Sequence, residues 1–178
     1  MLHNLTVHEA MPGHVLQLGH DNRFDRATMV RTAFRSGPFI EGWAVYAEEL
    51  MAARGYDGGL GERGALAIRL QQLKMQLRMT INAILDVRVH TRGMTEDEAM
   101  RLMMLRGHQE EGEAHGKWRR ALLTSAQLST YYVGYIGVRD VVGDLRAAHP
   151  GWTDRQVHDA VLAHGSPPPR HLRTLLGI

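Results

Sequence analysis

The strongest constraint on this chain is an apolar repeat in its middle. Leu66, Leu70, Leu73, Leu77, Ile81 and Ile84 recur at intervals of three and four. That spacing predicts one long amphipathic helix over about 61–91, with the leucine stripe turned to the core. Arg78, Asn82, Asp86 and His90 step at four along the other side. Met75 and Met79 sit among them, so that side is not wholly solvated.

Around this helix the chain offers more helices and no strand. Residues 2–21 read as a helix interrupted near Pro12, because proline removes a backbone donor and clashes with the preceding turn. The stretch 21–37 is polar and irregular, with Arg23, Asp25, Arg26, Arg31 and Arg35, and reads as a loop with one helical turn. Its arginines read as a solvated face, with a cationic rim for a peptide carboxylate as the alternative. A second helix spans about 38–54, started by Pro38 and stopped at Gly55. Thr95 and Glu98 form a capping box that opens a helix over 96–106. Further helices are predicted over 109–124, 127–148, 154–164 and 170–176, the last after the rigid Ser166-Pro167-Pro168-Pro169 spacer. Gly134 and Gly137 lie inside the 127–148 helix, where each costs about 1 kcal/mol against Ala. Their presence predicts close approach to another element. No period-2 run, internal repeat or linker is found, so residues 1–178 read as a single all-α domain.

Composition narrows the chemistry. With 44% apolar residues in 178, the chain can bury a sizeable core. It has no cysteine, so any metal must rest on His, Asp and Glu. The 21 Lys and Arg nearly balance 19 Asp and Glu, and no basic block stands out, which argues against nucleic-acid binding. No apolar run reaches the roughly 18 residues of a membrane span. His3, His8 and Glu9 fall where the apolar core of a signal peptide would lie, which favours a cytoplasmic location. The chain opens seven residues ahead of His8, as the C-terminal part of a longer protein would.

The most chemical stretch is Val7-His8-Glu9-Ala10-Met11-Pro12-Gly13-His14. Zinc hydrolases commonly hold the ion with two His and one Glu and leave a position open for water. The ion lowers the pKa of that water toward about 7, and a glutamate beside the first His acts as general base. In the usual His-Glu-x-x-His motif the histidines are four apart and share one helical face. Here His8 and His14 are six apart. Six residues of ideal helix turn the second side chain about 120° away from the first. A distortion at Met11-Pro12-Gly13 would restore convergence, and Pro and Gly are residues suited to make one. The third ligand should be a carboxylate on a helix packed against the first. Glu41 is the better candidate, early in its helix and followed by Gly42, which lets another backbone approach. Glu48, seven residues on and on the same face, is the rival.

The run His8–Gln17 together with Glu41-Gly42-Trp43-Ala44-Val45-Tyr46-Ala47-Glu48 resembles the bacterial family known as domain of unknown function 885, grouped with the gluzincin-type metallopeptidases. The segments 85–91, 129–134 and 157–168 fit the same pattern, so the resemblance covers nearly the whole chain, as the C-terminal part of a longer family fold. It implies a zincin-like helical peptidase domain with one zinc ion on His8, His14 and Glu41, and Glu9 as base. It also implies a Tyr or His that supports the developing oxyanion. Tyr131 is the first choice for that role, with Tyr132, His90 and His164 behind it. Asp86 and His90, four apart, would form a hydrogen-bonded pair behind the site. Gly137 departs from the pattern, which implies a glutamate there.

The function expected is a zinc-dependent peptidase acting on a peptide or small amide substrate, with ester hydrolysis open to the same site. The alternative is a non-catalytic or truncated helical module that binds a metal or a partner without turnover.

Overall fold

The computed structural model describes residues 2–25 and 28–178, the Thr32 side chain excepted. Arg26, counted above among the loop arginines, lies outside the described residues. Helices α1 (Leu2–Glu9), α2 (His14–Arg23), α3 (Met29–Ala33), α4 (Gly37–Ala53), α5 (Gly61–Arg92) and α6 (Glu96–Arg101) come first. A π-helical turn, Leu102–Arg106, continues α6. Helices α7 (Glu111–Leu123), α8 (Thr130–Ala148) and α9 (Asp154–Leu162) follow, then a 3-10 turn and α10 (Leu172–Leu176). No strand occurs among the described residues, and no helix is long and apolar enough to cross a membrane.

Local signals place most boundaries. The Ser36 hydroxyl accepts from the Phe39 N–H and caps α4. Thr95 with Glu98 and Thr153 with Gln156 both close reciprocal capping boxes. The C-terminal stop of α5 is Gly93 in the left-handed region.

The frame that carries the site is the α4–α8 pair. A Cβ on Gly42 would lie 2.2 Å from the Gly134 carbonyl carbon, and one on Gly134 would lie 1.9 Å from the Pro38 oxygen. Both are backbone atoms, so only glycines allow this crossing. The approach expected at Gly134 is therefore against α4, and Gly137 lies against the Pro169 ring. Phe39, Trp43, Tyr135, Val138, Val142, Leu145 and Val161 fill the core between α4, α8 and α9. A second core joins the C-terminal half of α5 to α6 and α7 through Ile81, Leu85, Met103 and Trp118.

The leucine stripe is corrected by the structure. Leu66 and Leu70 are 65% and 71% exposed, and Leu73 and Leu77 are also exposed. Of the stripe only Ile81 is buried, with Ile84 half-buried. The buried face of α5 is instead Gly64, Ile68, Gln72, Met79, Asn82, Leu85 and Asp86. Helical periodicity identifies an apolar face, but a face is buried only if another element reaches it. Among the described residues, α4, α7 and α8 approach α5 on the Asn82–Asp86 side.

Candidate metal centre

His8 is the last residue but one of α1 and His14 is the first of α2, and the four residues between the two helices, 10–13, continue neither. The break is nevertheless tightly bonded. The Ala10 N–H donates to the Thr6 oxygen at 2.9 Å, the Gly13 N–H to the Val7 oxygen at 3.0 Å, and the Val15 N–H to the Ala10 oxygen at 3.0 Å. A Cβ on Gly13 would lie 1.9 Å from the His8 oxygen and 2.4 Å from the Val7 oxygen, so the chain folds back here only with glycine. The Met11–Pro12 peptide is cis. The buried Trp43 of α4 fixes the outer edge of the break by donating its indole N–H to the Pro12 carbonyl at 2.9 Å.

The distortion brings the histidines together. Their rings meet edge to face with centroids 4.8 Å apart. The Nε2 atoms of His8 and His14 each lie 3.6 Å from Glu41 Oε2. Two atoms each about 2.0–2.1 Å from one tetrahedral ion lie roughly 3.3–3.4 Å apart, so each histidine stands from Glu41 at close to the spacing that one small cation requires. One donor atom from each of His8, His14 and Glu41 lies within 4.8 Å of the others, the one such group among the described residues. His14 Nδ1 is buried and has no hydrogen-bond partner.

Glu48 has a different task. Its Oε1 accepts from His8 Nδ1 at 2.6 Å, and its Oε2 accepts from the Asn4 amide at 2.5 Å. Held this way, His8 has its Nδ1–H fixed on Glu48 and its Nε2 turned toward Glu41 and His14. Glu48 is 5% exposed and both its oxygens are occupied, so the choice left open by the sequence resolves to Glu41 facing the histidines and Glu48 standing behind one of them. Burial opposes charge on His8, but Glu41 and Glu48 outweigh it and raise the ring to about 9. Burial likewise opposes charge on Glu41, but His14 and His8 lower it to about 2.

The remaining candidates divide. Glu9 is exposed and lines, with His8, Glu48 and Tyr131, a pocket of about 280 Å³. Burial raises the Tyr131 phenol, the Glu41 charge adds to this, and Arg120 partly offsets it. Tyr132 follows on α8 and is 36% exposed. Asp86 and His90 do form a pair, 3.6 Å apart, but both are turned to the 124–129 loop. Asp86 accepts from the Ala126 N–H, the Ser129 N–H and the Ser129 hydroxyl, and His90 Nε2 meets the Thr124 oxygen at 2.7 Å. They set the start of α8, one residue before Tyr131, rather than touching the His-His-Glu cluster. His164 is half-buried, and its carbonyl accepts from Arg31.

Sequence reasoning missed several residues, Asn4, Trp43 and Lys117 among them. Asn4 and Trp43 act through Glu48 and Pro12, across 44 and 31 residues of sequence, and no local spacing reveals that. Lys117 sits on α7 and enters the pocket only through the tertiary fold.

Fold and site together define an all-α domain whose two histidines and one glutamate could hold a metal ion. The chain belongs to the family described as bacterial protein of unknown function (DUF885), whose model matches residues 1–176. Among solved structures it is similar to "a putative lipoprotein of unknown function" from Shewanella oneidensis, at 36% identity and a TM-score of 0.86. That match covers 99% of this chain and 31% of the other. It shares its fold with a further "putative lipoprotein" from Colwellia psychrerythraea, at 23% identity and a TM-score of 0.84, over 98% of this chain and 29% of the other. The chain thus spans under a third of the length of both. No curated protein matches it.

Proposed function

We propose that this domain is the metal-bearing part of a zinc-dependent hydrolase that cleaves peptide bonds. The observation that carries the reading is the convergence of His8, His14 and Glu41 across a broken helix, with Glu48 fixing the tautomer of His8. Two imidazoles and one carboxylate suit zinc and leave a fourth position open. When bound, zinc supplies Lewis acidity, polarising the scissile carbonyl and acidifying water.

The other roles fall to this chain's own side chains. Glu9 follows His8 directly and has no ion-pair partner among the described residues. As general base it takes a proton from the attacking water and passes it to the leaving amine. Tyr131, kept protonated by its raised pKa, donates a hydrogen bond to the oxygen that gains negative charge. Asp86 positions Tyr131 by holding the loop before it.

The test is digestion of a peptide library by zinc-loaded protein. Cleavage is expected to stop with a chelator and with Glu9→Gln, while Glu9→Gln retains its zinc. Cleavage by Glu9→Gln at the wild-type rate, or none by zinc-loaded wild type, would overturn the reading.

A further inference from the structure

The pocket beside the His-His-Glu cluster has two chemically different walls. On the α1–α4 side stand His8, Glu9 and Glu48. On the α5–α7 side stand Arg78, Lys117 and Arg120. Three cations around about 280 Å³ repel one another unless an anion sits among them.

The chain provides little of that anion. Arg78 is paired with Glu113. Arg120 spends two of its donors on a neutral acceptor, Gln127 Oε1, at 3.1 and 2.7 Å. Lys117 meets no carboxylate among the described residues. Burial lowers its pKa, and Arg78 and Arg120 lower it further. Of the acids on the facing wall, Glu48 is already saturated by Asn4 and His8, and Glu9 stands exposed beside the cluster. On α5, among the cations, the Asn82 side chain is 9% exposed, and its Oδ1 is buried without a partner. Its amide oxygen therefore has an unmet capacity to accept a hydrogen bond at this pocket. Met75, Met79 and Leu128 supply the apolar remainder.

Resting on the hydrolase reading above, we infer that this pocket is a specificity subsite for a carboxylate-bearing residue next to the scissile bond, with Lys117 and Arg120 holding the carboxylate. The methionines take the aliphatic part of that residue, and Asn82 Oδ1 accepts from its backbone N–H. The pocket lies at the small end of ligand cavities and suits one residue rather than a long segment. The carboxylate is either the chain terminus or the side chain of Asp or Glu.

Direct binding tests this independently of turnover. Calorimetry on the full chain compares acetyl-Ala-Leu with its C-terminal amide, and acetyl-Ala-Glu-amide with acetyl-Ala-Gln-amide. A charge-assisted hydrogen bond contributes about 1.5–3 kcal/mol, so one acid of a pair should bind at least about ten-fold tighter than its neutral counterpart. The first pair assigns a chain terminus, the second an acidic side chain. Lys117→Met and Arg120→Gln should each remove most of that preference, while zinc content stays at the wild-type value. Equal binding within both pairs would overturn the inference, as would a preference left intact in both variants. Preference without zinc-dependent cleavage would overturn the hydrolase reading and leave the carboxylate site standing.

Discussion

Glu48→Gln separates the two acids of α4 most sharply. Glu48 accepts from His8 Nδ1 at 2.6 Å and from Asn4 at 2.5 Å, and it is 5% exposed. Glutamine keeps the volume and one acceptor oxygen but removes the negative charge and replaces the other oxygen with a donor. That donor would face the Asn4 amide or the His8 Nδ1–H. The His8 ring then loses its orientation, not its Nε2. Partners of this kind behind a metal-bound histidine contribute about 10–100-fold in metal affinity, or roughly 1.4–2.7 kcal/mol. Glu41→Gln removes a donor to the ion itself and should cost far more. Zinc affinity by competition with a chromophoric chelator gives the numbers directly. Stoichiometry near one with a weakened Kd is expected for Glu48→Gln, and loss of binding for Glu41→Gln. The reverse order, or equal loss in both, would refute the assignment of ligand and support.

Other outcomes follow from the same geometry. Gly13→Ala places a Cβ against the His8 and Val7 carbonyls and should abolish zinc binding while most helical circular dichroism persists. Gly134→Ala forces apart the α4–α8 crossing and should destabilise the fold by about 2–3 kcal/mol or more in urea titration. Asp86→Ala removes three hydrogen bonds from a buried carboxylate and should cost about 2–4 kcal/mol, with cleavage falling further than zinc affinity. Leu70→Gln, at a site 71% exposed, should change the stability of this chain by less than about 0.5 kcal/mol. A loss above 2 kcal/mol there would contradict the exposed stripe.

The sequence made the site legible because its decisive signals are local. A histidine pair with the wrong spacing and a Pro-Gly between them states both the distortion and the means of making it. The capping residues Thr95, Glu98, Thr153 and Gln156 act within one turn, so they too are readable. Burial was less legible. The Leu66–Leu77 repeat has the spacing of a core stripe, yet which element reaches a helix face is a tertiary fact, and none of the described helices reaches this one. Glu41 and Glu48 share a face of α4, and only the position of α1 decides which one meets a ring Nε2 and which an Nδ1. The cationic wall was missed for the same reason: Arg78, Lys117 and Arg120 come from two helices and form no run. Of the arginines of 23–35 that looked suited to a rim, Arg35 is engaged with Asp21 at 2.9 Å and Arg31 with the His164 carbonyl.

The central claim is that His8, His14 and Glu41 close on one zinc ion. Metal analysis of zinc-equilibrated, dialysed protein, joined to X-ray absorption at the zinc edge, tests it most directly. About one equivalent is expected, bound by two nitrogens and by carboxylate oxygen at about 2.0–2.2 Å. His8→Ala, His14→Ala and Glu41→Ala should each lose it. Less than about one-tenth of an equivalent in wild type, or wild-type zinc content in His8→Ala, would contradict the claim.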